Sequence, residues 1–596
     1  MNNSVERNQA IGVVIITGLI LAYFTFFSNT SDDKKQVANP IKKTIIANNF
    51  QNQPDSSLQT MRAADTSQIP VSEQITTVEN KNLVLRFSNK GALLTDVKLK
   101  NFKSYYKDTV SLISQDYNKY TQSLATASGK ILLSDLYYNI SKSQTADTTI
   151  VKYETILPTN QKLAYTYIIP PVGYTIKYKI DIESNKNSDY ELTLIWNHIL
   201  KRIEKDLQAT RNTSTITYRQ TDGTYSSLSE NSTDVQEKTV NNLNWLAYKQ
   251  KFFTTGIISD GNISAATIKS EPETSDSTVI KTFASTITLS QKDMSSKPTF
   301  TLFFGPNKLS VVRPVATDFV ENVYLGWPVI NTINRYTIAP LFAFLEKFMS
   351  NYGIIIILMV LIIKIVLFPL SFKAYQSMAK IKVLKPELDE IKAKAGDDMG
   401  LMQQEQMKLY NQVGVNPISG CIPVLLQMPV LLAMFNFFPN AIELRQQSFL
   451  WAEDLSSYDS IASLPFSIPF YGDHVSLFAL LMTASTLLYT WYNSQMNVSS
   501  ITGPMMAMQY IMPLVFMFVM NTMPAGLSFY YFVSNMVTIG QQYIIKLFVD
   551  EKAIRAKLED NKKTATTRKP NRFQQRLMEA MEQQQELKKK SGKGKK

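Results

Sequence analysis

Long apolar stretches in the second half of the chain restrict its fold more than any other feature. Each is close to the length that an α-helix needs to cross a lipid bilayer. The stretches are Ile354 to Leu370, Cys421 to Phe438, Leu477 to Tyr492, Met508 to Thr522 and Leu527 to Phe548. A further stretch, Ala10 to Phe27, is interpreted as an uncleaved anchor, with a cleaved signal peptide as the alternative. The pattern predicts six transmembrane helices.

A single charge interrupts the first of these later stretches. Lys364 lies between Ile354 and Leu370, six residues before the end of the apolar run. A charged side chain near the middle of a bilayer helix costs about 2.5 to 3.5 kcal/mol, so its presence needs a reason. The lysine stem could extend to the lipid headgroups, or the ammonium could face a polar interior. Its position in the sequence does not decide between the two.

Polar side chains in the other spans favour the second alternative, in which the Lys364 ammonium faces a polar interior. They recur in the last span at intervals that place them on one face of a helix. The members of this stripe are Tyr530, Tyr531, Ser534, Asn535, Thr538, Gln541 and Gln542. Hydrogen bonding between helices is the simpler explanation of such a stripe. Together with Gln427 in the third span, the stripe and Lys364 predict a hydrated cavity that holds one positive charge and no carboxylate.

The first half of the chain follows a different period. Between residues 82 and 310 apolar and polar side chains alternate, as in Thr175 to Ile182, with turn residues such as Asp222-Gly223 between the segments. Alternation with a period of two is typical of β-strands that are buried on one face. The pattern predicts a large antiparallel β-sandwich.

Basic residues in the short loops predict the topology. Residues 371–420 contain seven lysines, residues 439–475 contain only Arg445, and residues 551–596 contain 15 Lys and Arg against 6 Asp and Glu. Because cytoplasmic loops carry an excess of Lys and Arg, we expect both chain termini in the cytoplasm and the β domain in the periplasm.

The expected domain organisation follows from these patterns. A three-four apolar spacing that Gly396 interrupts predicts a cytoplasmic helical hairpin at 374–413, with a break in its first arm at Pro386. The predicted domains are an N-terminal transmembrane anchor at 1–28, a flexible periplasmic tether at 29–81, the β-sandwich at 82–310, an amphipathic interfacial helix region at 311–352, a five-helix core at 353–550 and a basic cytoplasmic tail at 551–596.

Catalytic motifs are missing from the sequence. There is no phosphate-binding loop, no nucleophile elbow and no zinc-protease motif. With two histidines and the single cysteine Cys421, a zinc site or an intramolecular disulfide is not expected. We therefore expect neither an enzyme nor a cofactor, and no DNA partner.

Several short motifs follow one another in an order and at spacings that are specific to one protein family. Weaker matches in the first half are Asn244 to Ala247, Phe252-Phe253 and Phe304 to Pro306. The stronger motifs are Lys364 to Leu370, Ser377 to Lys380, Val415 to Cys421 with Gln427-Met428-Pro429, Glu443 to Gln446, Ala525 to Leu527, Tyr530-Tyr531 and Ser534-Asn535. Together these motifs resemble the YidC membrane-protein insertases.

The resemblance implies a fold and a function. It implies a five-helix insertase core whose hydrophilic groove opens to the cytoplasm and the lipid, and a periplasmic β-supersandwich related to sugar mutarotases. Lys364 takes the place of the family's groove arginine, which keeps the charge but loses the bidentate geometry. Gln427, Tyr530 and Tyr531 match groove or substrate-contact positions. The implied partners are nascent membrane proteins, the bilayer, the Sec translocon and, through the basic tail, the ribosome.

Two other classes of function remain alternatives at this point. A channel or secondary transporter could use the same polar cavity, although such proteins normally show internal repeats and membrane carboxylates, which are not apparent here. An anchored periplasmic protein that binds or modifies carbohydrate would leave the cytoplasmic hairpin and the polar stripe unexplained. We therefore expect a membrane-protein insertase and folding chaperone of the bacterial inner membrane.

Overall fold

The chain divides into two compact units, Met1–Tyr324 and Leu325–Lys596. The structure is a computed structural model that describes residues 72–183, 190–295, 297–396, 398–415, 422–496 and 504–563. The predicted anchor, all but the last residues of the predicted tether, Cys421 and residues 564–596 of the basic tail lie outside the described residues.

The first unit consists mainly of antiparallel strands. A small sheet contains β1 (Ile75–Glu79), β2 (Leu83–Ser88), β3 (Leu93–Lys103) and β4 (Thr109–Ile113), in that order. The large sheet contains β5 (Asn118–Thr126), β6 (Gly129–Leu132), β7 (Asn139–Thr145), β8 (Thr148–Ile156), β9 (Lys162–Ile169), β10 (Thr175–Ile182), β11 (Tyr190–Lys201), β12 (Thr215–Gln220), β13 (Tyr225–Ser227), β14 (Gln236–Lys249), β15 (Phe253–Pro272), β16 (Val279–Ser290) and β17 (Thr299–Pro306).

The large sheet has its longest strands in the middle. Its order is β6-β5-β11-β16-β15-β17-β10-β9-β8-β7, with β14 paired to β15, β12 to β14 and β13 to β12. Short helices occupy three of the connections: α1 (Leu207–Thr213), α2 (Gln291–Ser295) and α3 (Leu309–Val312).

Aromatic side chains hold the two sheets together. On β10 the alternating side chains of Ile176, Tyr178 and Ile180 are buried, as their period predicts. The Tyr178 ring stacks on Tyr167 of the neighbouring strand at 4.8 Å, and Phe87 of the small sheet lies 4.7 Å from Tyr167. Buried aromatic pairs of this kind contribute about 0.5–1.5 kcal/mol beyond their area. The predicted large antiparallel β-sandwich is confirmed.

The second unit is helical. Its helices are α4 (Pro328–Ile333), α5 (Ala339–Glu346), α6 (Tyr352–Val366), α7 (Phe368–Val383), α8 (Lys385–Ala395), α9 (Met399–Val413), α10 (Ile422–Asn440), α11 (Leu477–Met496), α12 (Pro504–Met520), α13 (Ala525–Leu547) and α14 (Glu551–Lys563). Between α10 and α11 a two-stranded hairpin, β18 (Ala462–Ile468) and β19 (Gly472–Val475), was not predicted.

The predicted span from Ile354 to Leu370 is interrupted. Helix α6 ends at Val366, and α7 begins at Phe368 after a bend of 62°. Pro369 lies in the first turn of α7, where its missing N–H is tolerated, but it cannot donate to the helix that precedes it.

Length and hydropathy limit which of the described helices could cross a bilayer. No single one of them is both long enough and apolar enough to do so alone. The bent pair of α6 and α7 meets both requirements together, and Ala507–Met520 is a shorter apolar helix.

Helices α8 and α9 occupy the segment where a hairpin is expected. The break before α8 falls at Leu384, with Pro386 in the first turn, and the break after it falls at Gly396, which has a φ of 52°. Leu388 on α8 and Leu409 on α9 are buried in one apolar cluster. Leu558 on α14 belongs to the same cluster, so the first helix of the basic tail packs against the hairpin.

Candidate functional site

Lys364 lies near the carboxyl end of α6 and is buried, with only 7% of the residue exposed. The Gln541 side chain on α13 donates to the Lys364 backbone carbonyl at 3.4 Å. Helices α6, α7 and α10 to α13 contain no Asp or Glu, and Lys364 takes part in none of the ion pairs found among the described residues. A buried ammonium with no counter-ion is unfavourable, and a ligand that brings negative charge would relieve that cost.

The direction of the helices determines which way the Cα–Cβ bond of Lys364 leans. Near the start of α6 a Cβ on Gly353 would lie 2.1 Å from the Phe449 ring, and that ring contacts Phe529 near the start of α13 at 4.9 Å. Gln541 contacts Lys364 near the other end, so α6 and α13 run in the same direction. Side chains on a helix lean towards its amino end. The Cα–Cβ bond of Lys364 therefore leans back along the bundle, towards the level of the polar stripe.

Part of the predicted stripe serves contacts between and within helices. The Asn535 amide donates to Ser485 Oγ at 3.0 Å and to Thr486 Oγ1 at 2.9 Å, both on α11. Thr538 donates at 2.6 Å to the carbonyl of Ser534, which is itself buried. For Asn535, Ser534 and Thr538, hydrogen bonding between and within helices accounts for the polar atoms.

The two tyrosines contact the neighbouring helix α10. Tyr530 is buried against Phe438, with ring centroids 5.5 Å apart, and Tyr531 lies 5.6 Å from Phe435. The Tyr531 hydroxyl is buried and has no hydrogen-bond partner among the described residues. A buried polar group without a partner costs about 1–3 kcal/mol, so this hydroxyl is available to water or to a bound chain.

Gln542 and Gln427 differ in their surroundings. The Gln542 side-chain oxygen is buried and, within the part of the chain that the structure describes, accepts no hydrogen bond. Gln427 is half-buried on α10, and no hydrogen bond between described residues joins it to Lys364 or to the stripe. The structure therefore brings Lys364 close to the end of the stripe that contains Gln541 and Gln542, and no hydrogen bond among the described residues joins Gln427 to them.

A second polar cluster, at the opposite end of the bundle, was missed by the sequence analysis. The Asp459 carboxylate accepts from Trp451 Nε1 at 2.9 Å, from the Phe478 amide at 3.1 Å and from the Ser476 hydroxyl. The Asn521 amide donates to the carbonyls of Tyr471 and His474, at 2.8 and 2.7 Å, and its oxygen accepts from the Ser476 amide at 2.8 Å.

These bonds join the start of α11 to the end of α12. The side chains of Asp459, Ser476 and Asn521 therefore have hydrogen-bond partners, unlike the Tyr531 hydroxyl and the Gln542 oxygen. No local motif marks the cluster, because Asp459 lies far before the helix whose first turn it caps.

An apolar helical bundle with a buried cation and a separate β-sandwich define a two-part membrane protein. Residues 344–553 match the family model described as the 60Kd inner membrane protein, and residues 75–337 match the YidC periplasmic domain. The membrane protein insertase YidC of Amoebophilus asiaticus (strain 5a2) is 41% identical over 589 residues, covering 97% of this chain and 98% of the relative.

A second relative, the membrane protein insertase YidC of Cytophaga hutchinsonii, is 42% identical over 616 residues, covering 98% of this chain and 99% of the relative. The chain therefore belongs to the YidC family of membrane protein insertases. The family resemblance inferred from the motifs is confirmed, and with it the expectation of a non-enzymatic protein.

Solved structures give weaker similarity. An active YidC insertase crystal structure with the first transmembrane domain resolved is 17% identical, covers 80% of this chain and 93% of that chain, and has a TM-score of 0.33. A galactose mutarotase-like protein from Lactobacillus casei covers 39% of this chain and 100% of that chain, with 10% identity and a TM-score of 0.27. Scores this low do not establish a shared fold, so the relation to mutarotases stays a prediction.

Proposed function

We propose that this protein inserts nascent membrane proteins into the lipid bilayer and helps them to fold there. The observation that carries the proposal is the burial of Lys364 in a bundle of apolar helices that contain no carboxylate. Such a charge attracts the polar or acidic segment of an incoming chain. The name of the relatives, membrane protein insertase, supports the same activity.

The proposed groove has two regions. Lys364 and the unpartnered oxygen of Gln542 form its charged region, and the unpartnered hydroxyl of Tyr531 lies about 15 Å further along α13, ten residues before Gln541 at about 1.5 Å per residue. Tyr530, Ser534, Asn535 and Thr538 form the wall that carries these groups. Gln427 on α10 is proposed as a contact for the incoming chain on the opposite wall.

Insertion by such a groove needs no fuel. The groove lowers the cost of moving a few polar groups part of the way through the bilayer, and burial of the apolar segment in lipid then makes the process favourable. The membrane potential assists an acidic segment by about 2.3 kcal/mol per charge per 100 mV.

We further propose a multi-pass protein of the bacterial inner membrane, with six transmembrane helices, both termini in the cytoplasm and the β domain in the periplasm. The lysines of 371–420 and the basic residues after 551 support this topology. The polar cluster around Asp459 and Asn521 would then close the periplasmic end of the bundle.

The ribosome and the Sec translocon are proposed as partners on the cytoplasmic side and in the membrane. Helix α14 is held on the hairpin by an ion pair between Lys382 and Glu551, at 2.7 Å, and by a hydrogen bond from Asn561 to the Val413 carbonyl, at 3.1 Å. This docking supports a role for the hairpin in positioning the basic tail, whose lysines and arginines suit ribosomal RNA.

Site-directed photocrosslinking tests the groove directly. A photoreactive residue is placed at Tyr531 or at Gln542 in the full chain, and a ribosome-stalled single-span protein is presented in vesicles. We expect crosslinks to the nascent chain from both positions. Tyr543, which neighbours Gln542 but is 58% exposed, is the matched control and should crosslink mainly to lipid.

Two results would contradict the proposal. One is stronger crosslinking of the nascent chain from Tyr543 than from either groove position. The other is normal insertion of a single-span protein into vesicles that lack this chain.

A further inference from the structure

An exposed apolar segment lies between α10 and α11, outside the groove that the proposed function uses. We call residues 461–475, which comprise β18, β19 and the turn between them, the apolar hairpin. Ile461, Phe466 and Phe470 are each about half exposed or more. Asp473 is the only residue of the segment that is charged at neutral pH. Clusters of large exposed apolar side chains usually mark a surface that contacts protein or membrane.

The exposure does not come from a loose segment, because β19 is fixed to the end of α12. The Asn521 amide donates to the carbonyls of Tyr471 and His474, at 2.8 and 2.7 Å, and His474 Nε2 lies 2.8 Å from the Asn521 carbonyl oxygen. Tyr471 and His474 are buried, and the His474 ring stacks on Tyr458 at 3.8 Å. One strand of the apolar hairpin is therefore packed against the helical unit, and β18 presents its apolar side chains outwards.

The turn of the apolar hairpin lies beside an exposed apolar face of α12. This face consists of exposed side chains at three- and four-residue spacing, Ile511, Leu514, Val515 and Phe518. The Tyr471 ring packs against Phe518 with the centroids 5.3 Å apart, and Phe470 precedes Tyr471 in the turn. Under the proposed function α12 spans the bilayer and this face contacts lipid. The apolar hairpin continues the lipid-facing surface at the end of the helix.

The backbone of β18 makes it a poor partner for an added strand. Proline has no N–H to donate, and Pro465 lies within β18 while Pro469 directly follows it. The pairing with β19 is also irregular, with a register shift between Ser463 and Ile468. Prolines and irregular pairing keep an exposed sheet edge from pairing with another chain. The surface therefore offers apolar side chains and few backbone donors, which favours lipid over an extended polypeptide.

The paired state of β18 limits how deeply it can enter a bilayer. Among the described residues β18 is paired on one side only, and an open sheet edge is not tolerated in the hydrocarbon region. Amphipathic helices on a membrane surface bury their apolar face by about 5–10 Å, and we expect a similarly shallow depth here. Because the proposed topology places the end of α12 on the periplasmic side, the leaflet that the apolar hairpin reaches is the outer one.

We propose that the apolar hairpin binds lipid by inserting Phe466 and Phe470 into the outer leaflet of the bilayer. The ligand is the glycerol and upper acyl-chain region of phospholipids in general, because the segment has no Lys or Arg that could select an anionic headgroup. The proposal rests on the proposed function in one respect, that α12 spans the bilayer. It gives the helical unit a second contact with lipid, made by a strand instead of a helix.

Depth-dependent fluorescence quenching tests the proposal. An environment-sensitive fluorescent amino acid replaces Phe466 in the full chain, which is reconstituted as single copies in phosphatidylcholine nanodiscs. Spin-labelled lipids carry the quencher either near the glycerol or near the end of the acyl chain. We expect blue-shifted emission and at least twofold stronger quenching by the shallow label than by the deep label. Addition of anionic phosphatidylglycerol should leave the quenching unchanged.

Two control positions separate failure of this proposal from failure of the proposed function. Ile511 lies nine residues, or about 14 Å, before the end of α12, so a fluorescent residue there should be quenched more strongly by the deep label. Lys392 is exposed on α8, and a fluorescent residue there should be quenched by neither label. Absence of quenching at Ile511 would overturn the proposed span together with the hairpin proposal. Quenching at Ile511 without quenching at Phe466 would overturn the hairpin proposal alone.

A substitution in the apolar hairpin ties the insertion to its side chains. With the fluorescent residue at Phe470, Phe466→Asp should reduce quenching by the shallow label at least twofold, because a carboxylate opposes entry into lipid. Phe466→Leu is the matched control and should retain the quenching. Since Phe466 is 61% exposed, neither substitution removes a side chain from the core.

Four further results would overturn the proposal. One is unshifted, unquenched emission at Phe466, which would place the residue in water. Another is blue-shifted emission that neither lipid label quenches, which would assign the surface to a protein partner such as a nascent chain. The third is quenching that requires phosphatidylglycerol, and the fourth is equal quenching in Phe466→Asp and Phe466→Leu.

Discussion

Replacing Lys364 by methionine should impair insertion selectively for acidic substrates. Methionine keeps the length and apolar volume of the lysine stem but removes the ammonium. Because Lys364 is 7% exposed and has no acidic neighbour among the described residues, little else in its surroundings would compensate for the lost charge. A neutral translocated segment makes no Coulomb interaction with the ammonium, so its insertion should change little.

The size of the effect follows from Coulomb's law. For a carboxylate held about 8 Å from the ammonium, at an effective dielectric constant of about 20, the attraction is about 2 kcal/mol. This corresponds to about a 30-fold change in the capture of one acidic segment. Lys364→Arg should retain most of this effect, because it keeps the charge at a similar distance.

Reconstituted vesicles provide the assay. Two single-span substrates that differ only in Asp or Asn residues in the translocated segment are inserted, and protease protection measures the yield. Lys546→Met is the matched control, because Lys546 is an exposed lysine in the last turn of α13. The reasoning is refuted if Lys364→Met affects both substrates equally, or if Lys546→Met has the same selectivity.

Three further predictions concern stability and docking. Burial lowers the pKa of His198 to about 3, below the unfolded value of about 6.5. The unfolded chain therefore binds a proton first as the pH falls, and the β domain should lose about 2.3 kcal/mol of stability between pH 6.5 and 4.5 through this group. Urea unfolding of His198→Phe should not show this loss. Gly353→Ala brings a Cβ within 2.1 Å of the Phe449 ring and should destabilise the helical unit by about 1–3 kcal/mol, with rescue by Phe449→Ala in thermal unfolding. Leu558→Asp places a carboxylate in the cluster between hairpin and tail, and should expose α14 to limited proteolysis, whereas Leu558→Met should not.

Local periodicity accounts for the parts of the fold that were predicted. On β10 the alternation from Thr175 to Ile182 identified the buried face, because a strand places alternate side chains on opposite sides. On α13 the three- and four-residue spacing identified a shared face in the same way. The interruption after Val366 is associated with Pro369, a residue visible in the sequence but outweighed there by the apolar run.

The role of each polar residue in the site depended on its contacts with residues that are distant in the sequence. The spacing of Asn535 indicated a polar face, but only the fold shows that its amide bonds to Ser485 and Thr486 on another helix. The same applies to Gln427, which the motif assigned to the groove and which forms no hydrogen bond with Lys364 among the described residues. Whether a polar side chain serves packing or remains available is determined by its neighbours, which are distant in sequence.

The sequence by itself determined the two-part architecture, the family and the presence of one costly charge in an apolar helix. These properties follow from composition, period and motif, which are local. Only the tertiary structure decided that Lys364 is buried beside Gln541, that the Tyr531 hydroxyl lacks a partner, and that Asp459 and Asn521 close the other end of the bundle. Burial and hydrogen bonding depend on which distant segments pack together, and no local pattern in this chain encodes that information.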